Sequence, residues 1–147
     1  MNICLIGSSL TNLVLAKNLL DREINIDLYS KPAVGNSKVT RTIGISENNI
    51  DFFTNNKINL KKISWPIKDI KVFNEFDQKI EILNFESSNK TLFSLIKYKE
   101  LFNNLNKLLE HKKNFNRYKI KKNSLNKIIS NPKYDLIINS DKQNNIT

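Results

Sequence analysis

A run near the N-terminus, Gly7-Ser8-Ser9-Leu10-Thr11-Asn12, has the spacing that sets small side chains against a phosphate group. The dinucleotide fingerprint is G-x-G-x-x-G. Its first glycine makes a tight turn, its second lets backbone approach a pyrophosphate, and its third packs helix on strand. Here Gly7 keeps the first position, Ser9 takes the second and Asn12 the third. Serine is small enough for phosphate contact and adds a hydroxyl, whereas Asn12 brings a larger polar side chain to a packing position. The acid that would hold a ribose hydroxyl after the next strand is missing, because that position falls at Ser30, followed by Lys31. Read alone, these residues leave open a nucleotide site and a plain α/β core.

The flanking elements are those such a turn needs. Asn2 to Ile6 is a short apolar run that reads as a buried strand. Leu10 to Arg22 repeats apolar residues at helical spacing, and Ile24 to Tyr29 alternates as a second strand. A parallel strand pair requires a crossover helix, whose N-terminus offers unpaired N–H groups to a pyrophosphate. Pro32 to Ser37 reads as a loop, Ser46 starts a helix carrying Ile50, Phe52 and Phe53, and Leu60 to Trp65 reads as an exposed link ending at Pro66. From Ile67 the period changes to that of a hairpin. Ile70, Val72 and Phe73 form one strand, Ile80 to Phe85 the other, and Asn74 to Lys79 the turn. Leu92 to Ile96 is a third short apolar run, and Glu100 to Leu109 returns to helical spacing. Phe115 to Ile120 reads as a strand in a basic segment, and Tyr134 to Ile138 as the clearest late strand. Leu125, Ile128 and Ile129 fit either type. Aromatics such as Phe52, Phe53, Trp65 and Phe102 are expected in the core or an interface. No repeat and no linker between independent domains is visible.

Composition narrows the chemistry. At 147 residues the chain is long enough for one domain with a real core. The net charge of +10 raises nucleic-acid binding, but the lysines are spread among asparagines and isoleucines along the whole chain, as in a biased genome, so no nucleic-acid partner is expected. Contact with an acidic membrane surface fits the same charge. Cys4 and His111 are the only cysteine and histidine, which leaves no intramolecular disulfide and no cysteine metal site, and gives a Ser-His-Asp triad or a multi-histidine metal site little to draw on. A metal site and catalytic side chains are therefore not expected. No apolar stretch is long enough to span a bilayer and no signal peptide is visible, so a cytoplasmic setting, with the inner membrane face as a contact surface, is expected.

Four ordered segments resemble the N-terminal part of the flavin-dependent aromatic hydroxylases, in particular those of ubiquinone biosynthesis. They are the βαβ unit with Gly7, Ser9 and Asn12; Arg41-Thr42-Ile43-Gly44-Ile45-Ser46; Trp65-Pro66-Ile67 with the following hairpin and Leu92 to Leu101; and Tyr134 to Asp141. The second is similar to the family's arginine, small residue and "-ALS", and the fourth to its "DLVIGADG" strand. The resemblance implies an α/β, Rossmann-like FAD-binding domain, incomplete, with an inserted antiparallel β-hairpin. Residues 1–147 would be its N-terminal part, with 67–96 an excursion towards a substrate-side sheet. It implies FAD as cofactor, NAD(P)H as electron donor and an aromatic polyprenylated quinone precursor as substrate. Contact with a biosynthetic complex or the membrane would accompany that substrate. Gly7, Ser9, Asn12, Ser30, Arg41 and Asp141 become the cofactor-side residues, Arg41 near the pyrophosphate, and Tyr98-Lys99 aligns where the family touches FAD. Departures are Asn12, Ser30 and Lys142, the last in place of the glycine after the aspartate. The family's later "GD…HP…GQG" segment, which holds the flavin ring, is absent, so this fragment is expected to be inactive alone. In the family the cofactor carries the difficult step, so a missing triad does not oppose the reading. A degenerate Rossmann-like module without cofactor, kept for interaction or decaying, is the alternative.

Overall fold

A computed structural model describes residues 1–31, 41–77, 79–86, 90–120 and 124–141. The expected loop at Pro32 to Ser37 and the departure at Lys142 lie outside them. The chain forms two compact units, Met1–Val39 with Phe102–Thr147, and Thr40–Leu101. No linker announces the division, because the second boundary falls inside a continuous helix, α3 (Tyr98–Leu109).

The first unit is a four-stranded, all-parallel sheet. Strands β1 (Asn2–Ile6), β2 (Asn25–Ser30), β8 (Phe115–Lys119) and β9 (Leu136–Asn139) stand in the order β8-β2-β1-β9. Helix α1 (Leu10–Leu20) is the β1-to-β2 crossover and packs on both strands. Register pairs Ile3 with Ile26 and Leu5 with Leu28, all four buried on one face. Cys4 and Ile6 project from the opposite face into a cluster with Ile128, Tyr29, Ile120 and Ile137. A strand buried on both faces reads as a continuous apolar run, which is why Ile3 to Ile6 shows no alternation. The ambiguous Leu125–Ile129 stretch is a short helix, α4, with Ile128 buried.

The second unit contains a three-stranded antiparallel sheet of β3 (Thr42–Ser46), β7 (Phe93–Lys97) and β4 (Ser64–Ile67), ordered β3-β7-β4. Helix α2 (Glu47–Asn55) follows β3, with the Ser46 side chain accepting from the Asn49 N–H at 3.4 Å. The Leu60 to Trp65 link is corrected: Leu60 is buried, and Ser64 and Trp65 belong to β4, paired with β7. Pro66 misled that reading, but β4 is an edge strand, where a missing N–H costs no ladder bond. The inserted hairpin is present as β5 (Asp69–Phe73) and β6 (Glu81–Glu86). Of the core or interface positions expected for four aromatics, the core is ruled out for Trp65 and Phe52. Trp65 is 74% exposed and Phe52 44%, while Phe53 and Phe102 are only partly buried. Their strand register and helix faces, not their size, decide their burial.

One polar network pins the amino edge of the parallel sheet. The buried Asp27 carboxylate accepts from Lys133 Nζ at 2.5 Å, Tyr134 Oη at 2.7 Å and Asn116 Nδ2 at 3.0 Å. The Tyr134 and Tyr29 hydroxyls meet at 2.8 Å. Burial would raise the Asp27 pKa, but the hydrogen bonds from Lys133, Asn116 and Tyr134 outweigh it and hold the carboxyl below its usual range. A depressed folded pKa contributes stability above the unfolded value, and loses it as pH falls through the folded one. Asp27→Asn is therefore expected to cost about 2 kcal/mol near neutral pH, as a charge-assisted hydrogen bond does. The deficit should shrink in acid below about pH 4, the unfolded carboxylate range. Urea unfolding of both proteins across pH reads it.

Candidate functional site

The carboxyl edge of a parallel sheet is where open α/β folds bind ligands, because helix N-termini and strand ends converge there. In this chain the turn from β1 to α1 occupies that edge. Gly7 has φ +97°, a conformation that side chains disfavour, and its N–H donates to the Tyr29 carbonyl at 2.8 Å. A Cβ at Gly7 would lie 3.0 Å from Ser140 Oγ and 3.1 Å from the Asp141 backbone nitrogen. Glycine is thus required twice, by dihedral and by the close approach of the strand after β9.

Ser9 is the N-cap of α1. Its Oγ accepts from the Asn12 N–H at 3.2 Å and meets Ser140 Oγ at 2.8 Å. Capping fixes the start of the helix, and the amides of Leu10 and Thr11 in its first turn have no helical carbonyl to bond. Asn12 does not disturb the packing position it occupies. It is buried, and its Nδ2 donates to the carbonyls of Ile6 at 3.0 Å and Gly7 at 2.8 Å, so the larger side chain clamps the turn.

Ser30 ends β2, where its carbonyl accepts from the Ile120 N–H at 2.9 Å. Asp141 stands beside Gly7, with its Oδ2 3.4 Å from Lys31 Nζ. The structure thus brings together Gly7, Ser9, Asn12 and Asp141, with Ser30 ending the neighbouring strand. Arg41 belongs to the second unit, exposed, with its carbonyl accepting from the Tyr98 N–H at 2.7 Å at the start of α3. Ser140 and Lys31 are the members that sequence reasoning did not select. Each sits next to a residue it did select, which was the available signal.

The donor set suits a pyrophosphate: free first-turn amides, the positive end of α1, a serine hydroxyl, and no side chain at Gly7. Thiol chemistry is not on offer. Burial, reinforced by the Asp27 charge, pushes the Cys4 thiol up to about 12, so it stays protonated at neutral pH. Among the described residues no cluster of histidine, cysteine or acidic side chains is placed to hold a metal ion. No described helix is long and apolar enough to cross a membrane.

No family model and no curated protein matches the chain. Solved structures do. 2,6-Dihydroxypyridine-3-hydroxylase from Arthrobacter nicotinovorans is 16% identical with a TM-score of 0.60, the match covering 79% of this chain and 28% of that one. p-Nitrophenol 4-monooxygenase from Pseudomonas putida is 11% identical with a TM-score of 0.65, covering 80% and 31%. PqsL from Pseudomonas aeruginosa, named as a probable FAD-dependent monooxygenase, is 8% identical with a TM-score of 0.65, covering 81% and 32%. The chain thus spans less than a third of the length of these proteins. At such identities the likeness establishes a shared α/β fold.

Two substitutions test the turn by urea unfolding. Gly7→Ala is expected to destabilise by about 1–3 kcal/mol, through the strained dihedral and the crowding against Ser140. Asn12→Leu, which keeps the branched outline without the donor, should cost about 1–3 kcal/mol by leaving the Gly7 carbonyl unpaired, whereas the Ile6 carbonyl keeps the Ser140 N–H. A neutral Asn12→Leu would show that the clamp contributes nothing.

Proposed function

We propose that this chain is the FAD-binding N-terminal portion of a flavin-dependent monooxygenase that hydroxylates an aromatic ring. The carrying observation is the βαβ turn, where Gly7 is held at positive φ against Ser140 and Asp141 within the fold of known monooxygenases. In this reading Gly7, Ser9 and the first-turn amides of α1 receive the FAD pyrophosphate. Asn12 positions the turn from behind. Ser30 stands in for the ribose-binding acid, and Arg41 offers a second, bidentate phosphate contact. Asp141, with Lys31 beside it, forms the cofactor-side wall.

FAD supplies the redox chemistry when bound; this chain's residues bind and orient it. The finer reading, supported by the four ordered sequence segments, is an aromatic polyprenylated ubiquinone precursor as substrate and NAD(P)H as electron donor. It carries contact with a membrane face or a biosynthetic complex as a corollary. The 147-residue chain alone is proposed to be inactive, because the chain's likeness extends over less than a third of the enzymes it matches. A second reading, a Rossmann-like module without cofactor, is favoured by one observation: the Ser9 and Ser140 hydroxyls satisfy each other across the turn.

Flavin titration separates the two. The chain is expected to quench FAD fluorescence saturably at one equivalent, to prefer FAD over NAD, and to lose about tenfold in affinity on Arg41→Ala, the scale of one charge-assisted contact. Saturable binding that is indifferent to Arg41 removes that residue from the site. No flavin uptake by the chain or by any longer form of the protein contradicts the monooxygenase reading and leaves the cofactor-free module.

A further inference from the structure

The second unit carries a groove that the FAD reading does not use. It has a volume of about 350 Å³ and is lined by Thr42, Lys62, Trp65, Leu95, Lys97 and Glu100, among others. Its geometry follows from strand register. Trp65 pairs with Leu95, Gly44 pairs with Leu95 from the other side, and Thr42 pairs with Lys97, so these residues share one face of the β3-β7-β4 sheet. The opposite face holds Ile45, Ser94 and Ile96, all buried. A one-residue slip would exchange the two faces, so the buried side locks Trp65 outward.

An indole that is 74% exposed is unusual, since tryptophan is highly buried on average. Here it does not stand alone. Gly44 adds no side chain to the row it forms with Leu95 and Trp65, but the Phe93 ring covers it, 3.4 Å from where a Cβ would lie, so the open apolar strip is Leu95 beside the indole. Two ammonium groups border the strip. Lys97 is loosely paired with Glu100 at 3.7 Å, both being largely exposed, and Lys62 makes no salt bridge among the described residues. Cations beside an exposed aromatic face recognise a ring and a negative charge together.

We propose that this groove binds a planar ring bearing an anionic group, the ring stacked on Trp65 above Leu95 and the anion between Lys62 and Lys97. Every residue of the site lies in the Thr40–Leu101 unit, and none belongs to the β1–α1 turn. The proposal therefore stands whether or not FAD binds there.

Trp65 is the only tryptophan, so its emission reports this groove alone. The full chain is titrated with phenyl phosphate, benzoate, benzyl alcohol and inorganic phosphate. Saturable quenching by phenyl phosphate or benzoate is expected, and which of the two binds more tightly identifies the anion. Benzyl alcohol, a ring without charge, and phosphate, a charge without a ring, should each bind at least about tenfold more weakly. The double variant Lys62→Gln with Lys97→Gln, both exposed side chains, should keep the fold and lose about tenfold in affinity for the charged ring. Equal binding of benzyl alcohol, equal effect of phosphate, a linear unsaturable response, or an unaffected double variant would each overturn the proposal.

Discussion

Strand β1 is the constraint from which the rest of the first unit follows. It is hydrogen-bonded to β2 on one edge and β9 on the other, and its side chains from Ile3 to Ile6 are buried on both faces. Its end is therefore fixed in position, and the Ser140 N–H bonds to the Ile6 carbonyl at 2.9 Å. That bond sets Ser140 Oγ and the Asp141 nitrogen 3.0 and 3.1 Å from where a Gly7 Cβ would lie, beside a turn whose positive dihedral glycine accepts. Once the turn is fixed, Ser9 caps α1, Asn12 closes the turn from inside, and the helix dipole points across the sheet edge. Every feature that suits an anionic cofactor rests on packing behind β1.

Much of the architecture was legible in the residues, and the reasons are local. The βαβ unit shows through because a doubly buried strand, a tight glycine turn and a 3.6-residue apolar period sit within one short stretch. The hairpin shows because its apolar positions alternate. The three-stranded antiparallel sheet did not show. β3 and β4 lie on either side of β7 yet more than a dozen residues from it in sequence, and Pro66 hid the edge strand. The division into two units was invisible for a similar reason, since helix α3 crosses the boundary without a break.

Within the site, the glycine was readable from its neighbours in sequence, whereas its true neighbours in space are Ser140 and Asp141, more than 130 residues away. Asn12 looked like damage to a motif because side-chain volume is visible in sequence and hydrogen-bond partners are not. Its two carbonyl contacts turn the apparent defect into a brace. The Asp27 network was missed for the opposite reason. An acid in an alternating strand reads as the solvent face, and only tertiary contacts with Asn116, Lys133 and Tyr134 make burial of that charge tolerable.

The most direct test of the dinucleotide edge is a pair of backbone amide NMR spectra of the isotope-labelled chain, without and with FAD. Binding at the β1–α1 turn should shift the amides of Gly7 to Asn12 and of Asn139 to Asp141, and leave those of the hairpin, Asp69–Phe73 and Glu81–Glu86, where they were. Shifts confined to other surfaces, or unchanged spectra at saturating flavin, would contradict a nucleotide site at this turn.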